Sequence, residues 1–208
     1  MPTAKTIENM PLDGGIACLD FVNSGFDTEK DTIVERLRDY SDLLTLSERL
    51  SLLDKEKIGA LRILSTTHIE EGERVLTVAR EVRQVFFKVF TALATGMLDK
   101  LNQEILKAFN GYISRAYSNQ SFFIEGSQLK RDWKKDRVDL WQPLWAFLLS
   151  AHDLLVNRDQ QYIKKCRACE WLFIDETKNH RRKWCDMQAC GSLEKSKRYY
   201  QRKKLKKT

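Results

Sequence analysis

Four of the chain's five cysteines fall between residues 166 and 190, as Cys166-x2-Cys169, fifteen intervening residues, then Cys185-x4-Cys190. Two thiol pairs on short loops, with enough chain between them to fold back, have the spacing of a zinc site. Zinc accepts four soft thiolates at tetrahedral angles, and four protein ligands leave no open position, so one ion here would be structural and not catalytic. The intervening WLFIDETKNHRRKW predicts a strand over Trp171 to Ile174, a polar turn, and a second short strand near Lys183 and Trp184. Together they form a small ribbon that the metal holds closed. Two alternatives stand beside this reading: four reduced thiols without a metal, and His180 replacing one cysteine as ligand. A thioredoxin-like redox pair needs a strand-helix unit that the surroundings of Cys166 and Cys169 lack.

Charge changes at the same place as cysteine content. Residues 160–208 carry 15 Lys and Arg against 5 Asp and Glu, while residues 1–159 carry 21 against 24. A near-neutral body therefore precedes a strongly basic piece, and the expected boundary divides the chain into domains 1–159 and 160–208. Beyond the last cysteine, GSLEKSKRYYQRKKLKKT reads as a basic helix. Its Leu193 and tyrosines would pack on the ribbon while Lys195, Lys197, Arg198, Arg202, Lys203 and Lys204 face outward. Arg181, Arg182 and Lys183 extend the same pole. A metal-fixed scaffold that presents about ten cations has the electrostatic footprint of a nucleic-acid binder. The alternative is a basic tail kept for solubility.

The body is expected to be helical. Val75, Val78, Val82, Val85, Phe86, Val89, Phe90 and Leu93 recur at spacings of three and four, which predicts an amphipathic helix over Glu73 to Thr95. The same period predicts a helix over Thr32 to Leu50, with a break possible at Ser41 or Ser47. Asp54 reads as the N-cap of a further helix. Others are expected over Asp99 to Tyr117, and from Asp139 to Asn157 with Pro143 in its first turn. SFFIEGSQLKRDW predicts a two-stranded hairpin about Glu125-Gly126-Ser127. The fold class is thus mainly α with a small β-hairpin (α+β): a helical N-terminal domain, then a small zinc ribbon with a basic helix.

The longest apolar run, Leu144 to Leu149, is six residues, against about 20 for a membrane span. The first residues lack a basic stretch leading into an apolar one, so neither membrane nor export is expected and the chain is placed in the cytoplasm. No Walker loop, G-x-G-x-x-G or H-E-x-x-H is present, and His68 and His152 have no evident triad partners, so no enzyme is expected. Cys18 is expected in the core. Asp20 and Asn23, flanking an apolar pair in CLDFVNS, are candidates to line a small-molecule pocket with Arg83 and Trp141, Arg80 being an alternative neighbour. Equally, these short side chains could cap a turn or satisfy buried backbone groups.

The block CRACEWLFIDETKNHRRKWCDMQACGS resembles the CGNR zinc finger, matching its thiols and also Phe173, Asp175, Thr177, Arg182, Trp184, Met187 and Gly191. GGIACLDFVNS, YSDLL and AREVRQVFFKVFTAL are similar to the ABATE domain, the helical partner of this finger in stress-induced transcription regulators. The resemblance implies a DNA-binding finger, a regulatory or sensory N-terminal domain and no known catalysis. Two departures are visible. Ser192-Leu193 stands in place of the Asn-Arg of C-G-N-R, and Lys183 replaces an arginine before the tryptophan.

These observations together predict a DNA-binding transcriptional regulator with one structural zinc ion, duplex DNA as partner, a small-molecule effector at the N-terminal domain and, since one finger covers little DNA, a homodimer. An RNA-binding accessory protein and a protein-interaction adaptor are the competing classes.

Overall fold

The computed structural model describes residues 6–25, 34–134 and 139–205, except for the side chains of residues 198, 200, 202, 204 and 205. Within these the chain forms α1 (Ala17–Asn23), α2 (Tyr40–Arg49), α3 (Lys55–Thr67), α4 (Ile69–Ala94), α5 (Gln103–Ser118), a hairpin β1 (Gln120–Glu125) and β2 (Gln128–Trp133), then α6 (Gln142–Asn157). A second antiparallel pair, β3 (Ile163–Lys165) and β4 (Leu172–Ile174), leads into α7 (Cys190–Leu205). The architecture is predominantly helical, with a cysteine-bearing ribbon and a basic helix at its C-terminal end.

Helix α4 follows its apolar period, burying Val75, Val82, Phe86, Val89 and Phe90. Helix α6 is buried on several sides, by Leu144, Trp145, Phe147, Leu148, Ala151 and Leu154, with Pro143 in its first turn. Between them lies α1, seven residues long and too short to be stable alone. Its Phe21 stacks on Phe147 at 4.6 Å and meets Phe86 edge-on at 6.2 Å. Burial of each such ring contributes about 1.5–3 kcal/mol, so tertiary packing, not propensity, makes this segment helical. Cys18 is buried there, as expected, and its thiol is pushed up to about 12 by desolvation.

Two expected helices are shorter than their periodicity suggests. In place of a helix from Thr32, α2 begins at Tyr40; residues 32 and 33 lie outside those described, and residues 34–38 are not helical. Asp39 accepts from the Asp42 amide at 3.1 Å while Asp42 accepts from the Asp39 amide at 3.4 Å, a reciprocal cap that fixes the start. Leu37 is buried all the same, in non-helical chain. Asp99 lies in a 3-10 turn (Leu98–Lys100), and α5 starts after Asn102, which accepts from the Glu104 amide at 2.7 Å. Asp54 caps α3 as expected, accepting from the Lys57 amide at 2.8 Å. The β1-β2 turn is Gly126-Ser127, where Gly126 (φ 61°) takes the left-handed backbone such a turn requires.

The apolar core does not stop at residue 160. Ile163, Trp171, Leu172, Phe173 and Ile174 join the cluster built by α1, α4 and α6. The ribbon's sheet therefore lies on the helical body.

Candidate metal centre

The ribbon pairs differently from the expectation. Strand β4 is bonded to β3, with Ile163 opposite Ile174 and Lys165 opposite Leu172, whereas Lys183 and Trp184 form no strand. Buried Asp175 is the reason: its carboxylate accepts from the Thr177 hydroxyl at 2.6 Å, the Thr177 amide at 3.2 Å and the Arg182 amide at 2.8 Å. This gathers residues 175–182 into a turn, and the chain returns to the cysteines instead of running beside β4. At the expected strand the Arg167 amide donates to the Lys183 carbonyl at 3.1 Å.

The β3-β4 connection is itself the first thiol loop. Cys166 follows Lys165 directly, its amide donating to the Trp171 carbonyl at 2.8 Å, and its carbonyl accepting from the Glu170 amide at 2.9 Å. Glu170 (φ 60°) takes left-handed backbone to close the turn. The second loop is organised by Asp186, whose carboxylate accepts from the Ala189 amide at 2.7 Å and so starts α7 at Cys190. A helix N-terminus carries partial positive charge, which favours a thiolate at that position.

The four sulfurs lie within 4.8 Å of one another, with Cys169 Sγ 3.4 Å from Cys185 Sγ and Cys185 Sγ 3.7 Å from Cys190 Sγ. A tetrahedral zinc with bonds of about 2.3 Å has S-S edges of about 3.8 Å, so the set fits the ion. Hydrogen bonding from Cys169, then Cys185 and Cys190, pulls the Cys166 thiol down, while the Cys169 and Cys185 thiols, facing Cys166, are pushed up. A cation held by all four sulfurs displaces the remaining protons, because a thiol coordinates a metal only as the thiolate. His180 is placed elsewhere: its Nδ1 donates to the Asp175 carbonyl at 2.7 Å and its ring stacks on Tyr162 at 3.5 Å.

Two family models cover this architecture. One, the ABATE domain, described as "Putative stress-induced transcription regulator", matches residues 15–158. The chain belongs to the ABATE family. The other, the CGNR zinc finger, matches residues 162–203 and contains all four thiols. Among curated proteins none matches the chain. The centre of this ABATE protein is thus a four-cysteine zinc finger holding one structural ion.

Of the cations expected at the basic pole, Arg181, Lys183, Lys195, Lys197 and Lys203 are exposed. Lys197 pairs with Glu194 at 3.6 Å, and Lys203 lies 5.9 Å from the Tyr199 ring. The side chains of Arg198, Arg202 and Lys204 lie outside those described. Arg182, expected at the outward-facing pole, is instead engaged within the finger. It donates from Nε to the Trp184 carbonyl at 2.8 Å and from its terminal nitrogen to the Cys185 carbonyl, and its guanidinium lies 5.1 Å from the Phe173 ring centre. Such an arginine braces the second thiol loop. Leu193 and Tyr199 do not pack on the ribbon as expected; they are 45% and 61% exposed.

The polar residues proposed for an effector pocket have their bonds inside the fold. Asp20 accepts from the Gly14 amide at 2.9 Å, and Asn23 bonds the backbone of Leu172. Arg83 donates to Glu35 at 2.8 Å and to Ser24 Oγ at 3.1 Å. Trp141 donates to Glu71 at 2.7 Å. Arg80, the alternative neighbour, donates to the Leu37 carbonyl. Asp20 and Asn23 thus satisfy buried backbone groups, the other role open to them from sequence. Burial pushes the Asp20 carboxyl up to about 7, despite the Gly14 bond that opposes the shift.

Proposed function

We propose that this ABATE protein is a cytoplasmic, non-enzymatic regulator whose zinc finger binds duplex DNA. One observation carries the reading: exposed Arg181, Lys183, Lys195, Lys197 and Lys203 are borne on a loop and a helix that the four-thiolate centre fixes in place. Ordered cations gain affinity by releasing phosphate counterions. Phosphate contacts position the finger and confer little sequence information, so base readout falls to the side chains at the start of α7. Among them are Ser192 and Leu193, both exposed, where the family has Asn-Arg. The N-terminal domain, whose buried or half-buried polar residues include Asp20, Asn23, Arg83 and Trp141, is proposed as the part that answers a small-molecule effector. No helix among the described residues is long and apolar enough to cross a membrane.

The proposed assembly is a homodimer through the hairpin. Phe122, Ile124 and Leu129 are 68%, 82% and 70% exposed and share one face, since Ile124 sits opposite Leu129 two positions from Phe122. Strand β2 carries Lys130, Arg131 and Asp132, charges that discourage edge pairing, whereas β1 is uncharged from Gln120 to Ile124. A second copy pairing antiparallel along β1 would meet no like charge and would join the two apolar faces.

Fluorescence anisotropy of the zinc-loaded protein with mixed-sequence duplex DNA tests the function. A log-log salt slope of about −4 to −6, for about five to seven phosphates, is expected, with loss of binding on chelation and weaker binding to RNA of matched length. Absent or chelation-insensitive binding refutes it, and a preference for RNA selects the RNA-binding class.

A further inference from the structure

Strand β4 has two edges, and the finger supplies a neighbour for only one. Phe173 faces Lys164 across the β3 pairing, which leaves the Leu172 and Ile174 backbone pointing the other way. That second edge is filled by the N-terminal domain. Asn23 on α1 donates from Nδ2 to the Leu172 carbonyl at 2.9 Å, and its Oδ1 accepts from the Leu172 amide at 2.9 Å. The side-chain amide thereby reproduces both bonds a neighbouring strand would make, using a donor and an acceptor held side by side. Two residues on, the Ile174 amide donates to the Gly14 carbonyl at 3.0 Å. Gly15 (φ 78°) passes so close that a Cβ there would stand 2.7 Å from Ile174 Cγ2. Asn23 is 1% exposed, Leu172 and Phe173 fully buried.

This joint is short in sequence from the metal. Leu172 lies three residues after Cys169, and the loop carrying Cys166 and Cys169 is the turn between β3 and β4. The register of β4 therefore sets where those two sulfurs stand. We infer that Asn23 is a positioning residue of the zinc finger, so that zinc binding by residues 160–208 and the stability of the helical body are linked through α1. Linkage is reciprocal: zinc steadies α1, and whatever displaces α1 weakens the hold on zinc. The β3-β4 pair is part of the body's core, and a perturbation of α1 reaches the finger through the two hydrogen bonds between Asn23 and Leu172. The inference rests on the zinc centre, not on DNA binding.

The test measures zinc affinity of the full chain by chelator competition, with cobalt substitution to report the tetrathiolate site. Asn23→Ala removes both bonds; Asn23→Asp keeps the acceptor for the Leu172 amide but turns an oxygen without a hydrogen on the Leu172 carbonyl. Both variants are expected to lose zinc affinity by about 10- to 100-fold, as with other residues that orient metal ligands, at temperatures where far-UV dichroism shows the helices intact. Wild-type affinity in either variant overturns the inference. Should the variants fail to fold, the wild-type chain decides: chelation is expected to lower the melting temperature of the body's helices, and an unchanged melt overturns the linkage. A failure of the zinc reading itself is distinguishable, because the wild-type chain would then give no tetrathiolate cobalt spectrum.

Discussion

Asp20→Asn isolates the effect of one buried carboxyl on stability. Asp20 is 2% exposed and its carboxyl is raised from an ordinary 3.8 to about 7, chiefly by desolvation. Because the folded value is the higher one, the native chain holds this proton more tightly than the unfolded chain. Below about pH 4 both states are protonated and the group costs nothing. Between about pH 4 and about pH 7 the unfolded chain ionises first, so stability falls as pH rises, by about 1.4 kcal/mol per pH unit. Above about pH 7 the loss levels off at about 4 kcal/mol. Asparagine keeps an acceptor for the Gly14 amide and has no proton to lose. Urea unfolding followed by far-UV dichroism, with saturating zinc for both chains, is therefore expected to show the variant gaining on the wild type by about 2 kcal/mol between about pH 5 and about pH 7. Zinc binding has its own pH dependence, which is common to both chains and drops out of the difference. A difference independent of pH would refute the reasoning, since it would mean that Asp20 is ionised in the fold at low pH.

Cys185→Ser removes one of four thiolates, and native mass spectrometry should then find the zinc-bound form lost at zinc concentrations that saturate the wild type. Arg182→Ala removes charge-assisted bonds to the Trp184 and Cys185 carbonyls, worth about 1.5–3 kcal/mol each, and is expected to weaken zinc retention in chelator competition without DNA present. Arg181→Ala, at an exposed position, should leave zinc binding unchanged and reduce the DNA salt slope by about one. Ile124→Lys puts a charge on the exposed hairpin face; sedimentation should show a monomer with an unchanged melt, and a dimer that persists refutes the hairpin interface.

The zinc centre was legible in the sequence because its geometry is local. Each thiol pair lies within a loop of four to six residues, and spacing alone closes it. The same holds for the Asp54 cap, for Pro143 in the first turn of α6, and for the apolar period of α4, each fixed by residues within a turn or two. The resemblance to the CGNR finger marked Asp175, Thr177 and Arg182, but gave no hint that they hold one another and the second thiol loop in place.

What the chain could not reveal by itself are pairings between distant segments. Leu37 follows a helical period, yet the cap built by Asp39 and Asp42 excludes it from α2, and burial is satisfied without a helix. Trp171 to Ile174 reads as a strand, but whether Ile163–Lys165 or Lys183 and Trp184 would lie beside it depends on where buried Asp175 turns the chain. Asn23 and Leu172 are 149 residues apart, and nothing near Asn23 says that its amide will serve as the missing neighbour of a strand. Periodicity, caps and ligand spacing record short-range sterics and hydrogen bonding. The union of finger and body arises only when the core closes, because a buried strand edge must find partners for its amides and carbonyls, and α1 is what the fold brings there.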